Sequence, residues 1–293
     1  MSNNTSHPVT LTEALDSGTK RLRSCGIDSA TVVAELLLMQ VLKCQRVDLY
    51  LNLSQSMNQS QIANFNALLT QRISGKPVQY ITNSANFFGL DMYVDENVLI
   101  PRPETEILVE SVLQKMSNAS YKLKIIDWGT GSGNIALALA CHLDCEVYAV
   151  EVSEKALAVA EKNILMHGLE KKIKLIRGDG FNALPVQLKG KIDAIVANPP
   201  YVRLEEQPSL PKEVREFEPK EALFDKENGL FFTTEIVKGA RNFLKAKGLL
   251  ALEVALGQAE KVANLINAAQ GYLEIEIMPD LAGIQRVVLA RKK

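Results

Sequence analysis

The chain has 293 residues and a mass of 32.3 kDa, enough for two domains at roughly 150 residues per domain. Hydrophobic residues make up 47% of it and charged residues 23%, which excludes a disordered chain because such chains contain far fewer apolar residues. No apolar run approaches the roughly 18 residues that suggest a membrane span, and the N-terminal MSNNTSHPVT lacks the basic and apolar regions of a secretory signal. These features predict a soluble cytoplasmic protein with no membrane association.

The chain carries almost no net charge, with 33 Lys and Arg against 34 Asp and Glu. Dedicated nucleic-acid binders usually have a basic excess, because neutralising phosphates supplies much of their affinity, so direct nucleic-acid binding is not expected. The four cysteines form no Cys-x-x-Cys pair, and we predict that they are reduced and that the chain has no metal site. We expect a monomer.

The first segment, residues 1–83, is predicted to form a small helical domain. A helical pattern over residues 10–24 stops at Gly26, a common helix terminator, and Asp28 is expected to cap a second helix rich in Val and Leu. A third amphipathic segment runs from about residue 60 to 73. No chemistry-bearing motif stands out in these helices, so we assign them to packing or to docking of a partner.

Residues 84–106 are predicted to form a β-hairpin linker. Aromatic and β-branched residues around Gly89 are typical of two short strands. The segment ends in PRPETE, where two prolines and the acidic Glu104 and Glu106 favour the start of a helix, because acidic side chains are stabilised near the positive end of the helix dipole. A purely structural role in linking and capping is the alternative for this charged segment.

Strands and helices alternate through residues 107–293. Apolar strands separated by helices predict an α/β fold with a mostly parallel sheet that is covered on both faces. The last two strands are joined only by PDLAGI, which is too short for a crossover helix, so they are expected to pair antiparallel. The seven predicted strands are 124–128, 147–151, 173–179, 192–198, 248–254, 273–278 and 285–291.

A glycine-rich turn follows the first of these strands, with the spacing Gly129-x-Gly131-x-Gly133. Glycine is needed where a backbone turns sharply or where a ligand approaches without meeting a Cβ atom, and such a turn aims the first amides of the next helix at the ligand. The turn has neither the spacing of many dinucleotide folds nor the lysine of a phosphate-binding loop. It indicates a nucleoside-bearing cofactor; a tight turn that only packs strand against helix is the alternative.

Acidic residues end the next two strands. Glu151 lies where a carboxylate can accept hydrogen bonds from both hydroxyls of a ribose, although a solvated acid that caps the following helix is also possible. Asp179 could accept a hydrogen bond from an adenine amino group, with Phe181 or neighbouring apolar groups against the ring. Gly-Asp-Gly is also common turn chemistry, so this second signal is weak by itself.

The tetrapeptide Asn198-Pro199-Pro200-Tyr201 follows the fourth strand, at the same predicted edge of the sheet. Successive prolines remove two backbone donors and leave carbonyl acceptors, while Asn198 adds an acceptor and Tyr201 a flat face. Such a group can hold a planar NH₂ group by both N–H bonds and direct its lone pair at an electrophile. The alternative, a strand stopped by two prolines with a core tyrosine, fits Pro-Pro alone better than the whole tetrapeptide.

The turn, the strand-end acid and N-P-P-Y, in this order, resemble those of class I S-adenosyl-methionine-dependent methyltransferases that methylate amino groups. Over almost its whole length the chain resembles one family among them, the peptide chain release factor glutamine N5-methyltransferases. The segments that carry this resemblance are GKPVQYI, FFGLDMYVDENVLIPRPETEILVE, DWGTGSGNIALALA, NPPYV, FEPKEALFDKENGL and RVVLAR, with a looser match of DSATVVAELLLMQVL in the helical domain.

The resemblance implies a Rossmann-like sheet of seven strands, mostly parallel with one antiparallel strand, preceded by a small helical domain and a β-hairpin. The implied reaction is methyl transfer from S-adenosyl-L-methionine to the side-chain nitrogen N5 of the glutamine in the Gly-Gly-Gln loop of class 1 peptide chain release factors. A ribosomal-protein glutamine methyltransferase is the nearest alternative, and a DNA adenine N6-methyltransferase, which would want a recognition domain and a basic surface, is a more distant one. The alternative that is not an enzyme is a cofactor-binding docking module for release factors.

The functional residues of the family fall on particular positions of this sequence. The resemblance implies that Asn198, Pro199, Pro200 and Tyr201 bind the substrate glutamine amide, with Asn198, Pro199 and Tyr201 as the catalytic residues. The residues implied to bind the cofactor are Gly129, Thr130, Gly131, Ser132, Gly133, Glu151, Asp179, Gly180 and Asn198.

The sequence departs from the family at two of its positions. Gly180 stands where some relatives carry a tryptophan beside the adenine, so we expect that stacking contact to be lost. Trp128 replaces a more usual leucine and is assigned to packing.

Overall fold

The structure is a computed structural model that describes residues 8–293. The chain forms two compact units: the described part of Met1–Asn83 together with Pro211–Phe217, and Ser84–Leu210 together with Glu218–Lys293. Residues 211–217 fall within the predicted domain 107–293, whereas their contacts lie in the first unit, where Glu213 forms an ion pair of 2.8 Å with Arg72. Within the described range, no helix has both the length and the apolar character needed to span a bilayer.

The secondary structure follows the order predicted from the sequence. The helices are α1 (Leu11–Ser24), α2 (Ala30–Leu42), α3 (Arg46–Leu51), α4 (Gln59–Ile73), α5 (Val78–Thr82), α6 (Pro103–Met116), α7 (Asn134–His142), α8 (Glu154–Met166), α9 (Lys212–Phe217), α10 (Lys220–Leu223), α11 (Phe231–Phe243) and α12 (Ala259–Ala268). The strands are β1 (Ala85–Phe87), β2 (Leu90–Met92), β3 (Leu123–Trp128), β4 (Cys145–Glu151), β5 (Ile173–Arg177), β6 (Ile192–Ala197), β7 (Leu244–Glu253), β8 (Tyr272–Pro279) and β9 (Gln285–Lys292).

The first unit is helical, and its core lies between α1, α2 and α4, where Leu22, Leu37, Leu38 and Leu69 are fully buried or nearly so. The prediction that Asp28 caps the second helix is wrong. The N-cap is Ser29, in the left-handed region at φ 51°, and its side chain makes no capping hydrogen bond. The short helices α3 and α5 were not predicted, because five or six residues do not complete two turns and so show no helical period.

The predicted hairpin and helix start are both confirmed in the second unit. β1 pairs antiparallel with β2, and the two turn residues Phe88 and Gly89 have φ values of 52° and 76°, as in the tight turns that suit twisted hairpins. α6 begins with Pro103 in its first turn and with two acidic residues beside it. The carboxylate of one of them, Glu106, accepts a hydrogen bond of 2.8 Å from the Phe88 amide and so ties the hairpin to this helix.

A seven-stranded sheet forms the centre of the second unit, with the strand order β5-β4-β3-β6-β7-β9-β8. Neighbouring strands from β5 to β7 are parallel, and β9 runs antiparallel to both β7 and β8. The prediction of a mostly parallel α/β sheet with one antiparallel strand is therefore confirmed. All six residues of β6 are buried, as expected for a central strand that is covered by helices on both faces.

The strand order places the predicted motifs side by side. The chain starts at β3, moves outward to β5 and then returns to β6 on the other side of β3, and ligands bind at such a reversal, beyond the carboxyl ends of the strands. In register, Trp128 at the end of β3 faces Val150 of β4 on one side and Ala197 of β6 on the other. The glycine turn, Glu151 and Asn198 are therefore neighbours at one edge of the sheet.

Candidate functional site

A cavity of about 410 Å³ lies at this edge, and we call it the glycine-turn cavity. Its volume falls in the range of about 300–1,000 Å³ that is usual for small-molecule sites. Gly133, Pro199 and Tyr201 are not among the residues that line it. The predicted site residues that line it are Gly129, Thr130, Gly131, Ser132, Glu151, Asp179, Gly180, Asn198 and Pro200.

The backbone of the glycine turn is left-handed at Gly129 and Gly131, with φ values of 74° and 54°. A Cβ atom built on either residue would meet no protein atom within 4 Å. The amides of Gly129 and Thr130 both donate to the carbonyl of Val150, at 2.9 and 3.0 Å, and hold the turn against β4. The open space above the two glycines therefore faces the cavity, where a ligand can approach the backbone closely.

Asp127 supports the turn from below. Its buried carboxylate accepts hydrogen bonds from the Thr130 hydroxyl at 2.5 Å and from the Ala136 amide at 3.2 Å. Burial raises the pKa of Asp127 to about 7, since the two hydrogen bonds that favour the ionised form offset the loss of solvent only in part. This carboxyl links the start of the turn to the first turn of α7 and so fixes the direction in which the turn amides point.

Glu151 is half-buried at the end of β4 and is held by backbone donors. One of its carboxylate oxygens accepts from the Gly131 amide at 3.0 Å, and the other accepts from the amides of Val152 and Ser153 at 2.9 and 3.0 Å. An ionised carboxylate offers about four acceptor positions, so about one stays available to a ligand. The side chain that caps α8 is that of Ser153, which accepts from the Ala156 amide at 3.2 Å.

Asn163, which the sequence analysis did not single out, connects the glycine turn to the segment after the hairpin. Its fully buried amide group donates to the carbonyls of Ser132 and Tyr93 at 2.9 and 3.0 Å and accepts from the Tyr93 amide at 2.7 Å. The Ser132 hydroxyl is itself buried at the cavity and has no hydrogen-bond partner among the described residues. A buried hydroxyl without a partner is the kind of group that a ligand atom completes.

Asn198 is oriented by two side chains that the sequence analysis missed. Its amide nitrogen donates to the Thr105 hydroxyl of α6 at 3.1 Å. Thr105 and Asn198 both also hydrogen-bond to the carboxyl of Glu253, at the end of β7. Because the amide nitrogen is held by the Thr105 hydroxyl, the carbonyl oxygen of Asn198 is the atom that can accept from a substrate.

Glu253 is almost fully buried, and its burial is the main reason that its pKa rises to about 7. Leu252 of β7 pairs with Ala197 of β6, so Glu253 and Asn198, which follow these two residues, come side by side at the ends of their strands. The position of Glu253 at the end of GLLALE is the signal in the sequence that could have identified this residue. Burial, followed by the neighbouring Glu253 carboxyl, raises the pKa of Tyr201 well above its ordinary value, so this phenol keeps its proton. Near Asn198, Glu253 and Tyr201 thus both have pKa values raised mainly by burial.

Glu253 makes the stability of the protein depend on pH. The carboxyl releases its proton near its ordinary pKa of 4.5 when the chain is unfolded but near 7 when it is folded, so the unfolded state binds fewer protons between these values and stability falls as pH rises. We expect Glu253→Gln to remove about 3 kcal/mol from the decrease in the free energy of unfolding that occurs as the pH rises through this range. Urea unfolding at pH 5, 6, 7 and 8 measures it.

The exposed Glu170 provides a matched control for this measurement, because Glu170→Gln makes the same chemical change at the surface. Its profile should follow that of the wild type. Asp127, whose pKa is also raised to about 7, keeps part of the pH dependence in all three proteins. If the Glu253→Gln profile ran parallel to that of the wild type, the raised pKa of Glu253 would be excluded.

Two of the sequence motifs meet at the wall of the cavity. Arg102, from IPRPETE, lines the cavity and forms an ion pair of 2.5 Å with the buried Glu218 of FEPKEALF. The following residues Pro219 and Ala222 line the cavity as well. The buried Asp225 then accepts from the backbone amides of residues 227, 229, 231 and 232, which closes the loop before α11.

Two aromatic residues line the cavity near Gly180, which follows Asp179. Trp128 and Phe232 line the glycine-turn cavity there, with ring centroids 6.0 Å apart. Phe181, which the sequence analysis placed against an adenine ring, instead stacks on Phe243 at 5.3 Å and does not line this cavity. It lines a neighbouring cavity of about 510 Å³, which we call the Lys226 cavity after one of its lysines.

Comparisons with known proteins agree with this architecture. Two family models match the chain, the PrmC N-terminal domain over residues 13–82 and the methyltransferase small domain over residues 103–213. A release factor glutamine methyltransferase from Moorella thermoacetica is 38% identical over 97% of this chain and 99% of its own length. A protein with the same description from Nitratidesulfovibrio vulgaris is 34% identical over 98% of this chain and 97% of its own length. The crystal structure of a methyltransferase from Pyrococcus furiosus covers 79% of this chain and 98% of that chain with a TM-score of 0.52 and 20% identity, a likeness of fold.

Proposed function

The chain belongs to the release factor glutamine methyltransferase family, and from this premise we propose that it methylates N5 of the glutamine in the Gly-Gly-Gln loop of class 1 release factors, with S-adenosyl-L-methionine as the methyl donor. Its membership of this family makes the chain a protein-glutamine methyltransferase. The observation that carries the assignment of its site is the Asn198 amide, which Thr105 fixes at the rim of the glycine-turn cavity.

The residues of the glycine-turn cavity fit S-adenosyl-L-methionine. The space above Gly129 and Gly131 is open, and the buried Ser132 hydroxyl has no protein partner among residues 8–293. Three of about four acceptor positions on Glu151 hold the turn, which leaves one for a ribose hydroxyl. When bound, the cofactor supplies a sulfonium methyl group as the electrophile. The residues proposed to hold it are Gly129, Thr130, Gly131, Ser132, Gly133, Glu151, Asp179, Gly180 and Asn198.

The proposed task of the N-P-P-Y segment is to activate a poor nucleophile. A glutamine amide nitrogen reacts slowly because its lone pair is delocalised into the carbonyl group. In this proposal the Asn198 carbonyl oxygen and the Pro199 carbonyl accept its two N–H bonds, which stabilises the positive charge that develops on the nitrogen during methyl transfer. Pro200 lines the cavity, and Tyr201, protonated because its pKa is raised, is proposed to offer a flat face to the substrate amide. Most of the rate acceleration then comes from positioning and electrostatics.

We find no histidine among the described residues of the cavity that could act as a general base and take the proton that the substrate nitrogen loses. Among residues 8–293, none that lines the cavity is a histidine. The imidazoles of His142 and His167 bind the backbone carbonyls of Ala138 and Asp91, both at 2.8 Å. We therefore propose that the proton leaves to solvent after the nitrogen has been methylated, when its pKa has fallen.

The remaining proposals concern the whole protein. We propose that it acts as a cytoplasmic monomer without direct contact to nucleic acid, and that the helical domain, residues 1–83, docks the release factor. Three apolar residues of α3 support the docking role, because Val47, Tyr50 and Leu51 are exposed by 69%, 48% and 78%. The hairpin linker, residues 84–106, and the domain 107–293 would form the cofactor site.

A methyl-transfer assay tests the proposed function. Purified class 1 release factor is incubated with the enzyme and S-adenosyl-L-methionine, and its intact mass is measured beside that of a variant with alanine for the glutamine of the Gly-Gly-Gln loop. We expect one added methyl group on the native factor and none on the variant. Methylation of both factors would refute the site, and methylation of neither, with cofactor binding intact, would refute the substrate.

A further inference from the structure

The side chain of Trp128 has an unusual position for a strand residue next to a glycine turn. It is the single tryptophan of the chain, and although only 8% of it is exposed, it lines both the glycine-turn cavity and the Lys226 cavity. Phe232 stands beside it in both cavities, with the two rings tilted by 54°. Trp128 is therefore a wall of the site as well as part of the core.

Gly180 makes room for this indole. A Cβ atom built on Gly180 would lie 2.6 Å from Nε1 of Trp128 and 3.0 and 3.1 Å from two carbons of its ring. Real side chains do not approach that closely, and the φ of 53° at Gly180 is also one that other residues adopt only with strain. The ring of Trp128 thus fills the space into which a side chain at position 180 would point.

The chemical groups at this end of the cavity match a heteroaromatic base that carries an amino group. Trp128 and Phe232 offer apolar ring surface. The indole N–H of Trp128 is buried and has no acceptor among the described residues, and buried donors are normally paired. Asp179, exposed beside Gly180, adds a carboxylate that can accept from an exocyclic amine.

We infer that Trp128 forms the wall of the adenine subsite and that Gly180 is its complement, the residue whose missing side chain admits the indole. The inference rests on the proposed function, which puts S-adenosyl-L-methionine in the glycine-turn cavity. It assigns to Trp128 a ligand-binding role in addition to packing. The stacking contact that the sequence analysis expected to be lost at position 180 is supplied from position 128.

The single tryptophan allows a test on the unmodified enzyme. We expect S-adenosylhomocysteine to change the tryptophan emission at saturation, adenosine to change it in the same direction, and L-methionine to leave it unchanged. Isothermal titration calorimetry on the same samples reports binding independently of fluorescence. If adenosine bound by calorimetry without altering the emission, the adenine would not lie against Trp128 and the inference would be wrong.

Variants separate the indole from the rest of the site. Base–aromatic stacking is worth enough that Trp128→Leu should raise the dissociation constant of S-adenosylhomocysteine on the order of 10-fold, with a smaller rise for Trp128→Phe, which keeps a ring but loses the N–H donor. Gly180→Ala should weaken binding in the wild type and have little further effect in Trp128→Leu, because the added methyl group then meets no indole. Lys189→Ala, in the Lys226 cavity alone, should bind as the wild type does.

The outcomes distinguish the inference from the proposed function. If calorimetry detected no binding of S-adenosylhomocysteine to the wild type, the cofactor site itself would be refuted, and the inference with it. If the wild type bound it and Trp128→Leu, shown to be folded by circular dichroism, bound it within twofold as tightly, only the inference would fail. Should Trp128→Leu not fold, the fluorescence titration of the wild type still decides.

Discussion

Replacing Asn198 with alanine should lower the turnover number on the order of 10²–10³-fold, by analogy with the loss of one oriented polar group from an active site, and should change cofactor affinity by less than about threefold. The variant loses the side-chain carbonyl that the N-P-P-Y segment offers to the substrate amide. Asn198 is one of nine residues proposed to hold the cofactor, and the glycine turn and Glu151 keep their own hydrogen bonds in the variant. Single-turnover methylation of a release factor, with calorimetry of S-adenosylhomocysteine, measures both quantities.

Thr105→Val is the matched variant for this experiment. It leaves the Asn198 carbonyl oxygen in place but removes the hydroxyl that holds the amide nitrogen at 3.1 Å. Since Thr105 acts through Asn198, its loss should lower turnover less, about 10-fold, because the amide is then less well oriented. Unimpaired turnover in Asn198→Ala would remove the role proposed for that residue, whatever Thr105→Val does.

Gly131→Ala should abolish cofactor binding, with a rise in the dissociation constant of about 100-fold or more. The added methyl group would meet no protein atom within 4 Å, so it would project into the cavity and keep the ligand away from the backbone. The φ of 54° adds backbone strain of about 1–2 kcal/mol. The measurement is calorimetry of S-adenosylhomocysteine together with urea unfolding.

Gly168→Ala provides a control with similar backbone strain at a position outside the proposed cofactor site. Its φ is 66°, a Cβ atom on it also meets no atom within 4 Å, and it lies after α8, outside the glycine-turn cavity. Gly168→Ala should therefore lose about the same free energy of unfolding as Gly131→Ala and bind the cofactor normally. Equal cofactor affinity in the two variants would show that the ligand does not approach Gly131.

The fold could be predicted because its signals are local. Most strands of the large sheet are rich in apolar residues and lie between glycines, prolines or polar turns, while β8 alternates apolar residues with glutamates. Both patterns are visible without any knowledge of the partner strands. The antiparallel pairing of β8 and β9 followed from the length of their connection alone. The misassigned cap at Asp28 and the overlooked α3 and α5 are also local, but a neighbouring serine competes for the cap and helices of this length carry too few residues to show a period.

The motifs of the site were visible in the sequence, whereas the side chains that orient them were not. Parallel strands bring their carboxyl ends to one edge, so the positions of the glycine turn, Glu151 and Asn198 followed from the order of the strands. Thr105 comes from α6 and Glu253 from a strand far along the chain, and each is an ordinary residue of its own element. The position of Glu253 at the end of a strand marks it as a candidate, but its contact with Thr105 lies between two elements, and no local pattern records such a contact.

By itself, the sequence determined the order of the elements, the edge of the sheet that carries the site and the family resemblance. Each of these depends only on residue types and on their spacing along the chain. Only the tertiary structure decided what occupies the space beside Asp179. In the sequence, Gly180 by itself predicts the loss of a stacking contact with adenine, and Trp128 by itself predicts a packing residue. The fold brings the two together, at 2.6 Å between Nε1 and a Cβ atom that glycine lacks, and packing of this kind is a property of the pair, since one side chain can fill the volume that another leaves empty.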